Sequence, residues 1–251
     1  MSNTKYYIIA CMLAAQAALA DTYQISTDTY IDSANPTKNY GLSGSDKVVV
    51  NSSSVCRTLF DLPATLWSHS PSDIVSATVS FYVWADNTAT YNVSLCPLTT
   101  GFTAGTGASS GTTPANGATW LTYDGINLWT TAGGDFDSAN SVVGTKGSLG
   151  INPGDPNGRF FTFDITSLLT NPTTEAELQD YGAMLSIDVG QAPPATGQRY
   201  DSFTSANSTT YTTPYLPSLE VTLVPEPTSL ILVLVGLGAI TGFRKRRNAR
   251  C

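Results

Sequence analysis

The sequence predicts an all-β fold, an antiparallel β-sandwich with long loops. Short segments rich in β-branched and aromatic residues recur along the 251-residue chain, between turns rich in Gly, Ser, Thr, Asn and Pro. Helical periodicity is almost absent, and strands do not alternate with helices as they do around a parallel sheet. The two ends differ from the middle and predict targeting segments on either side of one domain.

Residues 1–20 have the composition of a secretory signal peptide. Lys5 precedes an apolar stretch that ends in Ala18-Leu19-Ala20, and Asp21 follows. A charged start, an apolar centre and a small-x-small end are the features that signal peptidase recognises. The sequence therefore predicts export with cleavage between Ala20 and Asp21. The alternative, an N-terminal membrane anchor, needs about 20 apolar residues.

The mature region, 21–224, is long enough for one domain with its own core. It carries six basic and eighteen acidic residues. Without a basic patch it has no means of neutralising phosphates, so nucleic acid is excluded as an expected partner. Scattered acidic residues suit solubility, cations and neutral ligands.

Eight segments carry the strand signal, and 74–85 is the clearest. There Ala77, Val79, Phe81 and Val83 share one face, while residues such as Tyr82 share the other, as in a strand with one buried face. The remaining predicted strands are 22–26, 47–52, 56–62, 91–99, 159–166, 181–189 and 218–224. One short helix is predicted over 164–171, and 174–180 adds a further helical turn.

The stretch 100–158 is rich in Gly, Thr, Ser and Asn and is long for a loop inside a compact domain. It is either an ordered binding surface or a low-complexity insert, and its aromatic residues favour the ordered surface. Trp120, Tyr123 and Trp129 are candidates for stacking on sugar rings, because a pyranose presents an apolar C–H face. The alternative is that these rings fill the core.

Asp135 and Asp137 are the acidic candidates in the same surface. On a strand, carboxylates two residues apart point to one side, roughly 7 Å apart at the Cα atoms. Such a pair suits a ligand or a cation, and glycoside cleavage also needs two carboxylates. A Gly-rich turn with solvated acids explains the pair equally well.

Two other sets of residues remain as candidates. Asp28 and Asp32 lie in the segment DTYIDSANPTKNYG, whose oxygen-rich side chains suggest a structural calcium, although the spacing is not that of an EF-hand. Cys56 and Cys96 are the cysteines of the mature region, and in an exported chain they form either one disulfide or two buried thiols. The single histidine, His69, excludes a three-His zinc site.

The C-terminal tail, 225–251, resembles the PEP-CTERM sorting signal of Gram-negative bacteria. Its three parts are the box Pro225-Glu226-Pro227, the 16-residue apolar run 228–243 and a basic cluster of Arg244, Lys245, Arg246 and Arg247. The run is short for a transmembrane span but workable with its flanking residues. The positive-inside rule keeps the basic cluster in the cytoplasm and the domain outside. The resemblance implies that an exosortase processes the tail near the box.

The mature region resembles the DNRLRE-type extracellular domain, which is related to carbohydrate-binding modules. The matching stretches include DTYIDSANPTKNYG, RTLFDL, IVSATVSFYVW and FFTFDITSLL, in the order of that family. The resemblance implies a jelly-roll-like fold and polysaccharide binding. We therefore expect an exported, non-catalytic surface or biofilm-matrix protein that binds polysaccharide. The alternatives are a polysaccharide-degrading enzyme that uses acidic residues and a purely structural matrix protein.

Overall fold

The structure is a computed structural model that describes residues 19–86, 91–108, 110–111, 116–146, 159–187, 189 and 198–224. Within these residues the chain is mostly β, as the sequence predicts. The strands are β1 (Leu19–Gln24), β2 (Asp28–Asp32), β3 (Ser45–Asn51), β4 (Val55–Phe60), β5 (Ile74–Asp86), β6 (Tyr91–Pro97), β7 (Val142–Lys146), β8 (Arg159–Asp164), β9 (Ala183–Ser186), β10 (Gln198–Thr204) and β11 (Ser218–Leu223). The helices are α1 (Thr166–Thr170) and α2 (Pro172–Tyr181).

The described strands form an antiparallel sheet that curls. Its order is β1-β11-β5-β10-β3-β4-β9-β6-β7, with β2 also paired to β4 and β8 also paired to β5. The curl brings β4 to face β5. The contact is seen in the ring of Phe60, which lies edge-on to the ring of Phe81 with the centroids 5.1 Å apart. Phe203 of β10 lies 5.5 Å from Phe81. These three rings are fully buried and form the centre of the core.

Strand β5 confirms the predicted alternation. Ala77, Val79, Phe81 and Val83 are at most 4% exposed. Tyr82 faces the other way, yet it is only 2% exposed. The aromatic side chains of Phe160, Tyr211 and Tyr215 cover it.

Strands β2, β7 and β10 are absent from the sequence-based prediction. Strand β2 lies in the segment predicted to hold calcium, and β10 is rich in polar residues. Pairing on both sides, with β3 and with β5, fixes β10 in the sheet. Two of its polar side chains find partners, since Asp201 accepts a hydrogen bond from Tyr91 and Ser202 donates one to the Asp46 carbonyl. Amino-acid composition is therefore a weak predictor of a strand whose polar groups are satisfied by residues on other strands.

Both predicted helical segments are helices: α1 is shorter than the predicted 164–171, and α2 is longer than the predicted 174–180. Asn171 caps α2, because its side-chain oxygen accepts a hydrogen bond from the Thr173 N–H. Pro172 occupies the first turn, and Gly182 ends the helix with a φ of +82°.

The targeting segments fall largely outside the described residues. Ala20 and Asp21, at the predicted cleavage junction, are exposed residues of β1. Residues 1–18 and 225–251 lie outside the described residues, and so do the sorting box, the apolar run and the basic cluster. Among the described residues, no helix has the length and apolar character needed to cross a membrane.

Candidate functional site

The segment 98–137, which we call the covering segment, lies over one face of the sheet. Its residues Leu98 and Trp129 pack in one hydrophobic cluster with Leu59 of β4 and Met184 of β9. Leu59 and Met184 are direct cross-strand partners, so the cluster sits on a single face of the sheet. The described part of the covering segment is therefore held on the sheet by a hydrophobic cluster that it shares with β4 and β9.

The three aromatic candidates of the covering segment pack inward. Trp129 is 4% exposed, and its indole N–H donates to the Thr119 carbonyl at 2.9 Å. Tyr123 is half-buried and lies edge-on to Trp129 at 5.7 Å. Trp120 is also half-buried. Because Trp129 is buried, it presents no face to a sugar, and the prediction of a stacking role for it is wrong.

Arg57 ties the covering segment to the sheet. Its guanidinium lies 5.2 Å from the centroid of Trp120 and 5.0 Å from that of Phe136, and it donates to the Gly133 carbonyl at 2.6 Å. Cation–π contacts with two rings explain why these side chains are held together. Gly133 has a φ of +98°, and a Cβ there would lie 2.7 Å from Trp120, so the contact requires glycine.

Asp135 organises the loop around it. Its carboxylate accepts hydrogen bonds from the backbone N–H groups of Thr130 and Thr131, at 2.8 and 2.9 Å, and one from the Thr100 hydroxyl. These donors occupy both carboxylate oxygens. The geometry suits a fixed acceptor that shapes the loop.

A polar cleft of about 510 Å³ opens beside Asp135, and we call it the threonine cleft. Hydroxyl groups dominate its walls. Its lining residues are Thr99, Thr100, Thr130, Thr131, Gly134, Asp135, Phe136 and Ser138.

Asp137 interacts electrostatically with Glu177 of α2. Hydrogen bonds from the Asn140 side chain and from two backbone N–H groups hold the pKa of Asp137 below its ordinary value. Burial raises the pKa of Glu177, and the charge of Asp137 raises it further. One oxygen of Glu177 is buried without a hydrogen-bond partner. Glu177 is therefore an acidic residue that interacts electrostatically with Asp137, and the sequence reasoning missed it.

The two calcium candidates do not share a site. Asp28 and Asp32 are the two ends of β2, four residues apart, which corresponds to roughly 13 Å along a strand. Each carboxylate instead accepts hydrogen bonds from its own surroundings: Ala34, Asn35 and Ser54 for Asp32, and Ser205, Ala206 and Asn207 for Asp28. The predicted cage fails because the segment forms a strand. Among the described residues, no three acidic, His or Cys side chains are grouped as metal ligands.

Cys56 and Cys96 are buried thiols, and no disulfide joins them. Cys96 lies opposite Met184, which lies opposite Leu59, so these three side chains share one face of the sheet. Cys56 is three residues from Leu59 along β4 and therefore points to the other face. A disulfide cannot span this separation. Burial raises the pKa of the Cys56 thiol to about 12.

Two exposed aromatic side chains, Phe160 and Tyr215, lie together on the outer side of β5 and β8. We call Tyr82, Phe160, Tyr211 and Tyr215 the aromatic patch. Phe160 lies opposite Tyr82 in the sheet, and their rings are 5.6 Å apart. The rings of Tyr211 and Tyr215 contact Tyr82 at 5.5 and 4.8 Å. Tyr82 is thus the buried support, while Phe160 and Tyr215 are 44% and 38% exposed.

A groove of about 280 Å³ adjoins the aromatic patch at Tyr211, and we call it the hydroxyl groove. Trp84, two residues after Tyr82 in β5, forms one wall and donates its indole N–H to the Phe203 carbonyl at 3.3 Å. The lining residues are Gly44, Ser45, Trp84, Ser208, Thr209, Thr210 and Tyr211, none of them charged.

Part of this surface could be read from the sequence. The alternation in β5 places Tyr82 and Trp84 on the face away from the core. The segment TTYTTPYLP carries Tyr211 and Tyr215 in a Thr- and Pro-rich context that signals an exposed loop. The packing of residues 205–217 on β5 could not be predicted from the sequence, because it depends on contacts between residues far apart in the chain.

The β-rich structure with polar and aromatic surfaces fits an extracellular domain. Residues 223–247 match the PEP-CTERM protein-sorting motif. The match begins at Leu223, the last residue of β11. It implies exosortase-dependent sorting of an exported protein of a Gram-negative bacterium, with an intermediate anchored in the membrane by its C-terminus. A search of the curated proteins finds no similar sequence.

Proposed function

We propose that the chain is a non-catalytic surface or matrix protein that binds polysaccharide through the aromatic patch. In this proposal the curled sheet is a β-sandwich of jelly-roll type, similar to the DNRLRE-type extracellular domain. The proposal keeps the predicted ligand class and moves the binding surface from the covering segment to the outer side of β5.

The observation that carries the proposal is the pair of exposed rings, Phe160 and Tyr215. Their planes are parallel to within 7°, and their centroids lie 6.5 Å apart. Both rings rest on Tyr82, which fixes their orientation before a ligand arrives. Exposed, parallel and preorganised rings match the apolar C–H faces of sugar rings at a low ordering cost.

The hydroxyl groove supports the same ligand class. Ser208, Thr209 and Thr210 offer hydroxyl groups that both donate and accept hydrogen bonds, as sugar hydroxyls require. The lining has no charged side chain, so the surface favours an uncharged polysaccharide over an acidic one.

Affinity electrophoresis of residues 21–224 tests the proposal. The gels contain hydroxyethylcellulose, laminarin, galactomannan, dextran or alginate, each with and without calcium. We expect retardation in at least one neutral polysaccharide. Replacing both exposed rings, Phe160→Ala with Tyr215→Ala, should weaken this binding about tenfold or more, because a single aromatic anchor commonly contributes at least about 1–2 kcal/mol.

Tyr181→Ala is the matched control. Tyr181 is 37% exposed, close to the 38% of Tyr215, but it lies on α2. The control should bind like the unchanged protein. Equal losses in both variants would mean that exposed tyrosines act nonspecifically, and no retardation in any gel would contradict polysaccharide binding and favour a purely structural matrix protein.

A second candidate function is polysaccharide cleavage, and the pair Asp137 and Glu177 favours it. Glycoside hydrolysis divides its roles between a carboxylate with a lowered pKa and a carboxyl with a raised pKa, and the pKa values of Asp137 and Glu177 are shifted in these two directions. Incubation with the same five polysaccharides, followed by assays for new reducing ends and unsaturated products, separates the two functions. Products that disappear in Glu177→Gln would establish an enzyme.

A further inference from the structure

We propose that the threonine cleft is a second polysaccharide-binding surface, so that one chain bridges two polysaccharide strands. This inference rests on the proposed function and adds a second surface to it. It concerns a part of the molecule that the aromatic patch does not touch.

The two surfaces lie on opposite sides of the curled sheet. The covering segment packs on Leu59, while the next residue of β4, Phe60, points to the core and contacts Phe81 of β5. The residue after Phe81 is Tyr82, which points outward and supports the aromatic patch. Because neighbouring residues of a strand point to opposite faces, the path from the cleft to the patch crosses both layers of the sheet. A short stretch of one polysaccharide strand therefore cannot contact both surfaces at the same time.

The chemistry of the cleft suits the same class of ligand. Thr99, Thr130, Thr131 and Ser138 are exposed residues of the cleft lining, and each carries a hydroxyl group. Asp135 engages Thr130 and Thr131 through backbone N–H groups, so this clamp does not use their hydroxyls. Threonine combines a hydroxyl with a methyl group, which matches the mixed polar and apolar surface of a sugar.

The floor of the cleft is fixed in advance. Phe136 contributes an apolar ring to the lining, and Arg57 lies 5.0 Å from its centroid. Asp135 holds the rim at Thr130 and Thr131. A preformed surface loses little entropy when a ligand binds. Its volume of about 510 Å³ falls in the range of small-molecule and sugar pockets, roughly 300–1,000 Å³.

Two surfaces on one chain have a consequence beyond affinity. A protein with one site decorates a polysaccharide, whereas a protein with two outward surfaces connects strands into a network. Bridging is therefore the property that distinguishes this inference from binding at the aromatic patch alone.

A bridging assay with the full chain, purified in detergent, tests the inference. Beads carry the panel polysaccharide that binds the chain best; they are saturated with protein, washed, and offered the same polysaccharide in soluble, fluorescent form. We expect the unchanged chain to capture the fluorescent strand. The cleft variant, Thr99→Val with Thr131→Val, removes two hydroxyls at nearly constant volume and should lose about 90% of the captured fluorescence.

The aromatic variant, Phe160→Ala with Tyr215→Ala, gives the complementary result. We expect it to keep measurable binding through the cleft but to lose bridging. Thr65→Val, at an exposed threonine in the turn before β5, is the control and should bridge normally. Thermal unfolding of each variant checks that the fold is retained.

The possible results separate this inference from the proposed function. If the cleft variant bridges like the unchanged chain, the second surface is contradicted, and a dimer with one site per chain explains the bridging. If the aromatic variant loses all binding, the cleft is not a binding surface, and the proposed function stands. If the unchanged chain binds no panel polysaccharide, both fail.

Discussion

At the scale of single residues, the buried pair Asp28 and Asp46 determines how the domain responds to pH. Both are about 1% exposed. Asp28 accepts hydrogen bonds from Ser205, Ala206 and Asn207, whereas neither oxygen of Asp46 has a donor among the described residues. Burial raises the pKa of both carboxyls, and the neighbouring charge of Asp28 raises the pKa of Asp46 further. Asp46 is therefore the carboxyl of the pair that binds a proton more readily, and in its acid form its hydroxyl can donate to Asp28.

We predict opposite effects for the two neutral substitutions. Asp46→Asn imitates the protonated acid and should stabilise the domain at pH 7, by roughly 1–3 kcal/mol, because it removes the cost of burying a second carboxyl. Asp28→Asn places an amide among three donors and should destabilise it by a similar amount. Urea unfolding of both variants measures this, and equal effects would contradict the assignment of the proton.

The pH dependence follows from the raised pKa of Asp46. The folded state holds a proton that the unfolded state releases near pH 4, so the contribution to stability is greatest below that pH and falls as the pH rises toward the folded pKa. In Asp46→Asn this contribution to the decline should disappear. Urea midpoints at several pH values, compared between the unchanged protein and the variant, give the measurement.

At the scale of elements, Asn39 fastens the covering segment to the connection between β2 and β3. Its side-chain N–H₂ donates to the carbonyls of Ala104 and Ala118, and its oxygen accepts from the N–H groups of Gly41 and Gly107. Asn39 is fully buried. A single side chain thus replaces the ladder of hydrogen bonds that a regular strand would have.

We predict that Asn39→Ala destabilises the domain by about 3–5 kcal/mol, because it leaves several buried backbone groups without partners. Hydrogen exchange should accelerate first in residues 103–118. Asn116→Ala is the control, since Asn116 lies in the same segment but is exposed, and its loss should cost less than about 1 kcal/mol. Similar exchange in the two variants would contradict a fastening role for Asn39.

Elements with strong local patterns could be predicted, and those held by distant partners could not. Strand β5 carries its alternation in its own residues, and α2 begins at Asn171, a polar cap that the sequence displays. Strand β10 pairs with β3, which is more than 140 residues away in the sequence. Asn39 bonds to Ala104, which is more than 60 residues away. For the same reason the binding surface could not be located from the sequence. The sequence does not show that Tyr215 is exposed and Trp129 is buried, because burial depends on the fold.

At the scale of the whole molecule, the sorting motif follows the domain with almost no spacer. Strand β11 ends at Leu223, and the motif match begins at that residue. All eleven described strands precede the Pro-Glu-Pro box, and residues 225–251 lie outside the described residues. We therefore expect sorting and the proposed ligand binding to be separable by truncation.

We predict that deleting 225–251 leaves export, folding and polysaccharide binding unchanged but abolishes membrane retention. The physical reason is that the deletion removes the 16-residue apolar run and the four basic residues Arg244–Arg247 that orient it. Fractionation should place the truncated chain in the periplasm or medium, whereas the full chain in a strain without exosortase should stay in the membrane at unprocessed mass. A truncated chain that still sediments with the membrane would show that the domain itself binds there, and the exposed rings of the aromatic patch would be the first place to look.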